Sequence, residues 1–404
     1  MSDNQSESSV QRAGCITGQR IVCIPSMKWH ARSGLENSMM KLFSNRNRVL
    51  YFEPPMPYIP VSYFDWSDLR NWKKEFEVIN NNLFVCHTPP VLPGKKMSRL
   101  INEREQNRLA KYVKNRIESC DMQDSIFITF VPTSANLVSA MNFPVSCYVC
   151  MDEIAGSRLT RKTVVQDMES KLMGIVDFTI TISKELYLHK KQLGNDVYLI
   201  TNGADFKHFN EAIDSNEIPD DISRIKKPIA GFLGTIDSRI DIRYILKACR
   251  DLPDWSFVLI GPVHKNERLL SKQNNVFLLG PKRFEDLPLY LSQFDVCMIP
   301  YVLNKMTLNC FPLKLYEYFS AGKPVVASDL PALRDHSDLV HIAKTENMFP
   351  NILKRALEND CQDLRSRRIE VAGRNSWERK VVELSEIISG YLLKKSNSSS
   401  IVEF

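Results

Sequence analysis

At 404 residues the chain is too long for a single small binding module, and at about 100 to 200 residues per domain it predicts two domains. Hydrophobic residues make up 44% and charged residues 25%, a globular composition that excludes an overall disordered or fibrous chain. The formal net charge of +6 is a mild field without the dense basic patch a nucleic-acid binder needs, so no nucleic-acid partner is expected.

The first 19 residues are polar, and no apolar run approaches the ~20 residues needed to cross a bilayer. The sequence therefore predicts a cytoplasmic protein with a disordered tail over 1–18, whose membrane contact could only be peripheral, at the cytoplasmic face of the inner membrane. From residue 19 onward, short β-rich apolar runs alternate with longer amphipathic stretches, the pattern of βαβ units and a parallel sheet. Strands are expected at 20–24, 49–52, 82–87, 126–130, 145–151, 177–182 and 197–201. Between them, segment 58–76 carries Tyr58, Tyr63, Phe64, Trp66, Trp72 and Phe76 beside Arg70, Lys73 and Lys74. That mixture suits a membrane surface or a hydrophobic acceptor, or equally a loop and helix packing aromatics inward. Cys147 and Cys150 form a CxxC inside strand 145–151, where residues three apart face opposite sides, so they and the other scattered cysteines read as reduced core thiols.

Residues 207–227 lose the apolar period and predict an interdomain linker. Alternation then resumes, with strands expected at 229–233, 255–260, 276–279, 295–300, 324–328 and 339–342. A helix over 376–395 and a flexible tail over 396–404 close the chain. The expected class is α/β, with Rossmann-like αβα domains over 19–206 and 228–375.

Open parallel sheets bind ligands at the carboxyl ends of their strands. Gly231-Phe232-Leu233-Gly234-Thr235 ends one strand: Gly234 lets backbone N–H groups approach an anion, Thr235 adds a hydroxyl, the following helix points its positive end there, and Arg239 is placed to complete a diphosphate cradle. A plain βα turn would look similar. In the stretch from Asn309 to Pro324, Pro312 and Gly322 bracket a helix on which Lys314 and Glu317 share one face, while Leu315 and Phe319 lie opposite. Lys314 suits a phosphate and Glu317 a pair of ribose hydroxyls; the competing reading is an i,i+3 ion pair in solvent. Thr201-Asn202-Gly203-Ala204-Asp205 is a third, less specific turn. No G-x-G-x-x-G or P-loop is present, which counts against NAD enzymes and P-loop NTPases.

These anchors, together with Thr179 to Leu186, Phe209, Trp255 to Pro262, Phe294 to Tyr301 and Ser376-Trp377-Glu378-Arg379, resemble the nucleotide-sugar domain of the family-four (glycosyl transferases group 1) glycosyltransferases of GT-B fold. Trp29, Arg32 and Val49-Leu50-Tyr51-Phe52-Glu53-Pro54 are similar to a bacterial subgroup that builds cell-surface polysaccharides such as teichuronic acid. The resemblance implies two Rossmann-like domains facing a cleft, with the last helix crossing back onto the first domain. It also implies a UDP- or GDP-linked sugar donor held by Gly234, Thr235, Arg239, Asn309, Lys314 and Glu317, and a glycan or lipid-linked acceptor. Many members carry an acidic residue where this chain has Asn309, which leaves a non-catalytic nucleotide-sugar binder as an alternative; a GT-B epimerase is a second one. No D-x-D element ends a strand, so neither metal nor cofactor is expected. Asp152 and His30, each just beyond a strand, are the candidates to orient or deprotonate the acceptor.

Overall fold

The computed structural model describes residues 14–30, 34–55, 76–92, 98–152, 161–193 and 196–400. The chain forms two compact units: Met1–Thr201 with Glu378–Phe404, and Asn202–Trp377. Each is a doubly wound α/β layer structure.

The first unit is built on β1 (Arg20–Ile24), β2 (Arg48–Phe52), β3 (Glu77–Asn80), β4 (Leu83–Cys86), β5 (Ile126–Thr129), β6 (Ser146–Cys150), β7 (Phe178–Thr181) and β8 (Val197–Leu199). Their order across the sheet is β3-β4-β2-β1-β5-β6-β7-β8. All neighbours run parallel except the β3–β4 edge pair, which is antiparallel. The winding reverses between β1 and β5. Every residue of β5, β6 and β7 is buried, as expected of parallel strands covered on both faces, even where Thr alternates with apolar residues in β7.

The second sheet runs β11-β10-β9-β12-β13-β14, from β9 (Ile229–Leu233), β10 (Ser256–Ile260), β11 (Val276–Gly280), β12 (Val296–Ile299), β13 (Val325–Ser328) and β14 (Val340–Ala343). All its pairs are parallel. Here the reversal lies between β9 and β12, the place where an open α/β sheet leaves a crevice at its carboxyl edge.

The structure corrects several expectations. Residues 207–227 are not a linker: helix Phe206–Asn210, a 3-10 turn at Glu211–Ile213 and helix Asp220–Ser223 bury Phe209, Ala212 and Ile222 in the second core. Helices this short place one apolar residue per turn and show no readable period. The tail expected over 1–18 is built in from residue 14, with Ile16 buried and its carbonyl accepting from Asn47 Nδ2 at 3.1 Å. Strand β3 was not expected, because its outward residues are half-exposed or exposed and carry no continuous apolar signal. The closing helix runs from Trp377 to Ser400, past the expected end at 395. Its Tyr391 stacks on Phe178 of β7 at 4.8 Å and Lys395 pairs with Asp177 at 2.6 Å, which ties it to the first unit. Within the aromatic segment, residues 58–75, like Arg32, lie outside the described residues, whereas Phe76 packs edge-on against Phe84 at 5.4 Å.

Candidate functional site

In the second unit, β9 ends at Leu233, whose amide donates to the buried Tyr318 hydroxyl at 2.9 Å. The next residue, Gly234, has φ +132 and donates its amide to the Ile260 carbonyl at 2.7 Å. A Cβ there would lie 2.6 Å from Lys314 Nζ. The amine of Lys314 thus rests on a bare glycine, with the Phe232 ring 5.4 Å below it. Lys314 opens helix Lys314–Ser320, which follows β12. The two strands flanking the reversal in winding therefore deliver the glycine and the amine to one spot.

Glu317 stands in the first turn of that helix. Leu315 and Phe319 are fully buried, while Lys314 and Glu317 keep partial exposure, as the helical wheel requires. Among the described residues, the side chain of neither Lys314 nor Glu317 forms a hydrogen bond or an ion pair with any other. This disposes of the i,i+3 ion-pair reading. Burial pushes the Glu317 carboxyl above its ordinary range, and the charges of Lys314 and His208 only partly oppose it. A carboxylate without donors and an amine without acceptors, side by side at a strand-end crevice, fit a ligand that offers both hydroxyls and anionic oxygens.

The helix is held from three sides. Asn202 Nδ2 donates to the Phe311 carbonyl at 2.9 Å, Asn210 Nδ2 donates to the Ser320 carbonyl at 2.8 Å, and Tyr318 reaches β9. Asn202 begins the turn that continues through Gly203, Ala204 and Asp205. There Ala204 bridges Ser376, and a Cβ on Gly203 would lie 3.0 Å from both the Asn375 carbonyl and the Trp377 ring. The otherwise unspecific Asn-Gly turn and the distant Ser376-Trp377 pair are one joint. Gly322 ends the helix with φ +68, as its sequence position implied. Lys323 has a structural task, donating to the Ser292 and Phe294 carbonyls at 2.8 and 2.7 Å.

Two features of the expected diphosphate cradle differ. The Arg239 guanidinium grips Asp237, with Nη2 on Oδ2 at 2.8 Å and Nε 3.1 Å from both carboxylate oxygens. Desolvation would raise the Asp237 carboxyl, but hydrogen bonds from Arg239, with Lys314 nearby, hold it below the usual range. The next helix, Ile242–Asp251, does not present an open positive end to Gly234. Residues 235–241 intervene, and Asp241 caps it by accepting from the Arg243 amide at 3.1 Å. Thr235 is buried beside Gly234. Asn309 turns its amide back to the Lys305 carbonyl at 2.7 Å.

In the first unit, the two acceptor-side candidates are not brought together. His30 is exposed and pairs with Glu77 of β3 at 2.9 Å. Asp152 is exposed beyond β6, with 153–160 outside the described residues. Cys147 and Cys150 are wholly buried and burial raises both thiols, in keeping with core cysteines. Sequence reasoning missed an ordered pair at the carboxyl edge of this sheet, Glu53 after β2 and His87 after β4, joined at 2.9 Å. The signal was available: each stands within a residue of a strand end.

Residues 227–359 match the family model described as glycosyl transferases group 1. Over 184 residues, the chain is 33% identical to a Bacillus subtilis protein named for teichuronic acid biosynthesis, the glycosyltransferase TuaH. That match spans 43% of this chain and 45% of the relative, less than half of either. Among solved structures, the UDP-forming α,α-trehalose-phosphate synthase of Burkholderia xenovorans in complex with glucose-6-phosphate superposes with TM-score 0.68 at 11% identity, covering 93% of this chain and 100% of that one. HepE of Anabaena in complex with UDP and glucose superposes with TM-score 0.63 at 14% identity, covering 92% and 99%. The fold is that of GT-B proteins, and residues 227–359 match the glycosyl transferases group 1 model.

Proposed function

We propose that this protein is a glycosyltransferase that moves a sugar from a UDP- or GDP-linked donor to a hydroxyl of a glycan or lipid-linked acceptor in cell-surface polysaccharide synthesis. One observation carries the reading: Lys314 and Glu317 stand unpaired on one helix face at the winding reversal, with the amine seated on Gly234. In this reading Glu317 accepts from two ribose hydroxyls, and Lys314 with the Thr235 amide, on the turn that Gly234 opens, meets the diphosphate. In the transfer, the bond from the anomeric carbon to the diphosphate oxygen breaks with its electron pair leaving on the diphosphate. The acceptor oxygen bonds that carbon and its proton is released. Preorganised donors on the leaving diphosphate are worth about 3 to 4 kcal/mol each in such reactions.

Because Lys314 supplies charge directly whereas Arg239 must first release Asp237, the two cations are unequal. Lys314→Ala is expected to weaken UDP binding by about 1.5 to 3 kcal/mol, and Arg239→Ala by clearly less. Titration calorimetry of both variants checks the order, and equal losses would put Arg239 on the phosphate after all. With these groups as the leaving-group electrophile, turnover in EDTA should match turnover without it.

The direct test of the whole reading is a thermal-shift screen against UDP, GDP and their sugars. At 100 times its Kd, a true donor adds about 2.7 kcal/mol to stability. No shift with any nucleotide would end the assignment. Asn309, in place of the acidic residue many members carry, favours a second reading, a non-catalytic nucleotide-sugar binder. Slow release of UDP from a bound UDP-sugar would decide for the enzyme. No described helix is long and apolar enough to cross a membrane. A lipid-linked acceptor would bring the protein to the cytoplasmic face of the membrane as a peripheral partner.

A further inference from the structure

Three strand ends of the first unit converge on one carboxylate. Glu53, immediately after β2, accepts from the Trp29 amide with Oε1 at 3.0 Å and meets His87 Nδ1 with Oε2 at 2.9 Å. Trp29 lies in the loop after β1, and His87 directly follows β4. The backbone carbonyl of Glu53 accepts from the Thr88 hydroxyl at 2.7 Å, so the carboxylate is anchored at both ends.

The loop that carries Trp29 is braced along its length. Glu36 accepts from the Ser26 amide at 2.9 Å, the Ser26 hydroxyl at 2.5 Å and the Met27 amide at 3.3 Å. The Tyr51 hydroxyl lies 2.9 Å from the Met27 carbonyl, and Asn37 Nδ2 donates to the Trp29 carbonyl at 2.5 Å. The indole of Trp29 stands edge-on against Tyr51 at 5.1 Å and remains partly exposed. Glu53 and His87 side chains are only 11% and 15% exposed. His87 Nε2 has no hydrogen-bond partner among the described residues.

One buried carboxylate fixes the orientation of an imidazole whose second nitrogen has no partner among the described residues, and holds the backbone of a partly exposed indole. An aromatic face beside a fixed hydrogen-bonding nitrogen matches a sugar, which has an apolar ring face and hydroxyls on its rim. The position, at the carboxyl edge on the β1 side of the reversal between β1 and β5, is where such a sheet takes ligands.

We propose that Trp29 and His87, set by Glu53, form the acceptor-sugar subsite of the first unit: the indole packs on the sugar ring and His87 Nε2 hydrogen-bonds an acceptor hydroxyl. Glu53 acts through both as a positioning residue. The assignment rests on the transferase reading above and replaces His30 and Asp152 as the acceptor-side groups.

The test uses the full chain and a cognate nucleotide sugar found by the thermal-shift screen. Acceptors are a panel of free hexoses, N-acetylhexosamines and octyl glycosides, with UDP or GDP release as the readout. His87→Ala should cut the acceptor-stimulated rate at least about tenfold, and Trp29→Ala should raise acceptor KM by a similar factor. In both variants the donor Kd should stay within about twofold of the parent. Glu53→Gln, which still spans the two partners but no longer carries charge, should fall between parent and His87→Ala in kcat. The proposal is overturned if His87→Ala keeps more than about a third of the stimulated rate, if donor binding falls in parallel, or if no acceptor on the panel stimulates a parent that binds donor. A parent that binds no nucleotide at all overturns the transferase reading instead, so the two failures are distinct.

Discussion

Gly261→Ala is expected to destabilise the second unit by about 3 to 5 kcal/mol, the sum of a strained φ and a backbone overlap. Gly261 has φ +137, and a Cβ there would lie 2.2 Å from the Gly234 carbonyl oxygen and 2.6 Å from its carbon. Those atoms are main chain, fixed by the Gly234 amide on the Ile260 carbonyl, so they cannot step aside as a side chain could. At about 2 to 4 °C per kcal/mol for a domain of this size, the melting temperature should drop on the order of 10 °C. Gly234→Ala provides the contrast. It also suffers a forbidden φ, but its new Cβ meets the far end of Lys314, which can move. Its larger loss should appear in nucleotide affinity, because the displaced amine is the proposed phosphate contact. Calorimetric melts and UDP titrations on both variants check this division, and it fails if Gly261→Ala melts within about 2 °C of the parent.

The same glycines show what a sequence discloses and what it withholds. The strands flanking the reversal were readable because burial on both faces leaves runs such as Ile229–Leu233 and Val296–Ile299 uniformly apolar. The helix of Lys314 and Glu317 was readable because Pro312 and Gly322 bracket it. Its neighbours were not. Whether Arg239 faced a ligand or Asp237 depends on the turn taken by residues 235–241, which no periodicity encodes. That Asn202 would hold the Phe311 carbonyl, 109 residues away, or that Glu53 would join His87 across two strands, follows from sheet order. Strand order is set by tertiary packing, so each residue could be placed at a strand end without its partner being known. Helices as short as Asp220–Ser223 fall below the length at which a 3.6-residue period can be recognised.

Glu317→Gln is expected to stabilise the ligand-free protein at neutral pH while weakening nucleotide binding. Burial without any hydrogen-bond donor raises the Glu317 carboxyl above its ordinary value. Between the unfolded and the raised folded value, the native state binds more protons than the unfolded chain. Stability from this group is therefore fully present below the unfolded value and is lost as pH rises through the folded one. Glutamine keeps the shape and removes the titration. The melting temperature of the variant should equal that of the parent in acid and exceed it increasingly as pH rises, reaching a plateau above the folded value. A carboxylate that lowers apoprotein stability is understandable when a ligand supplies the missing donors. Two ribose hydroxyls do this, so UDP binding to Glu317→Ala or Glu317→Gln should weaken by about 1.5 to 3 kcal/mol. The parent should also prefer UDP to its 2′-deoxy analogue, and the variants should lose that preference, since the hydroxyl would no longer meet a charged acceptor. A pH-independent difference in melting temperature, or an unchanged preference between the two nucleotides, would remove Glu317 from the ribose and leave Lys314 without its partner in the site.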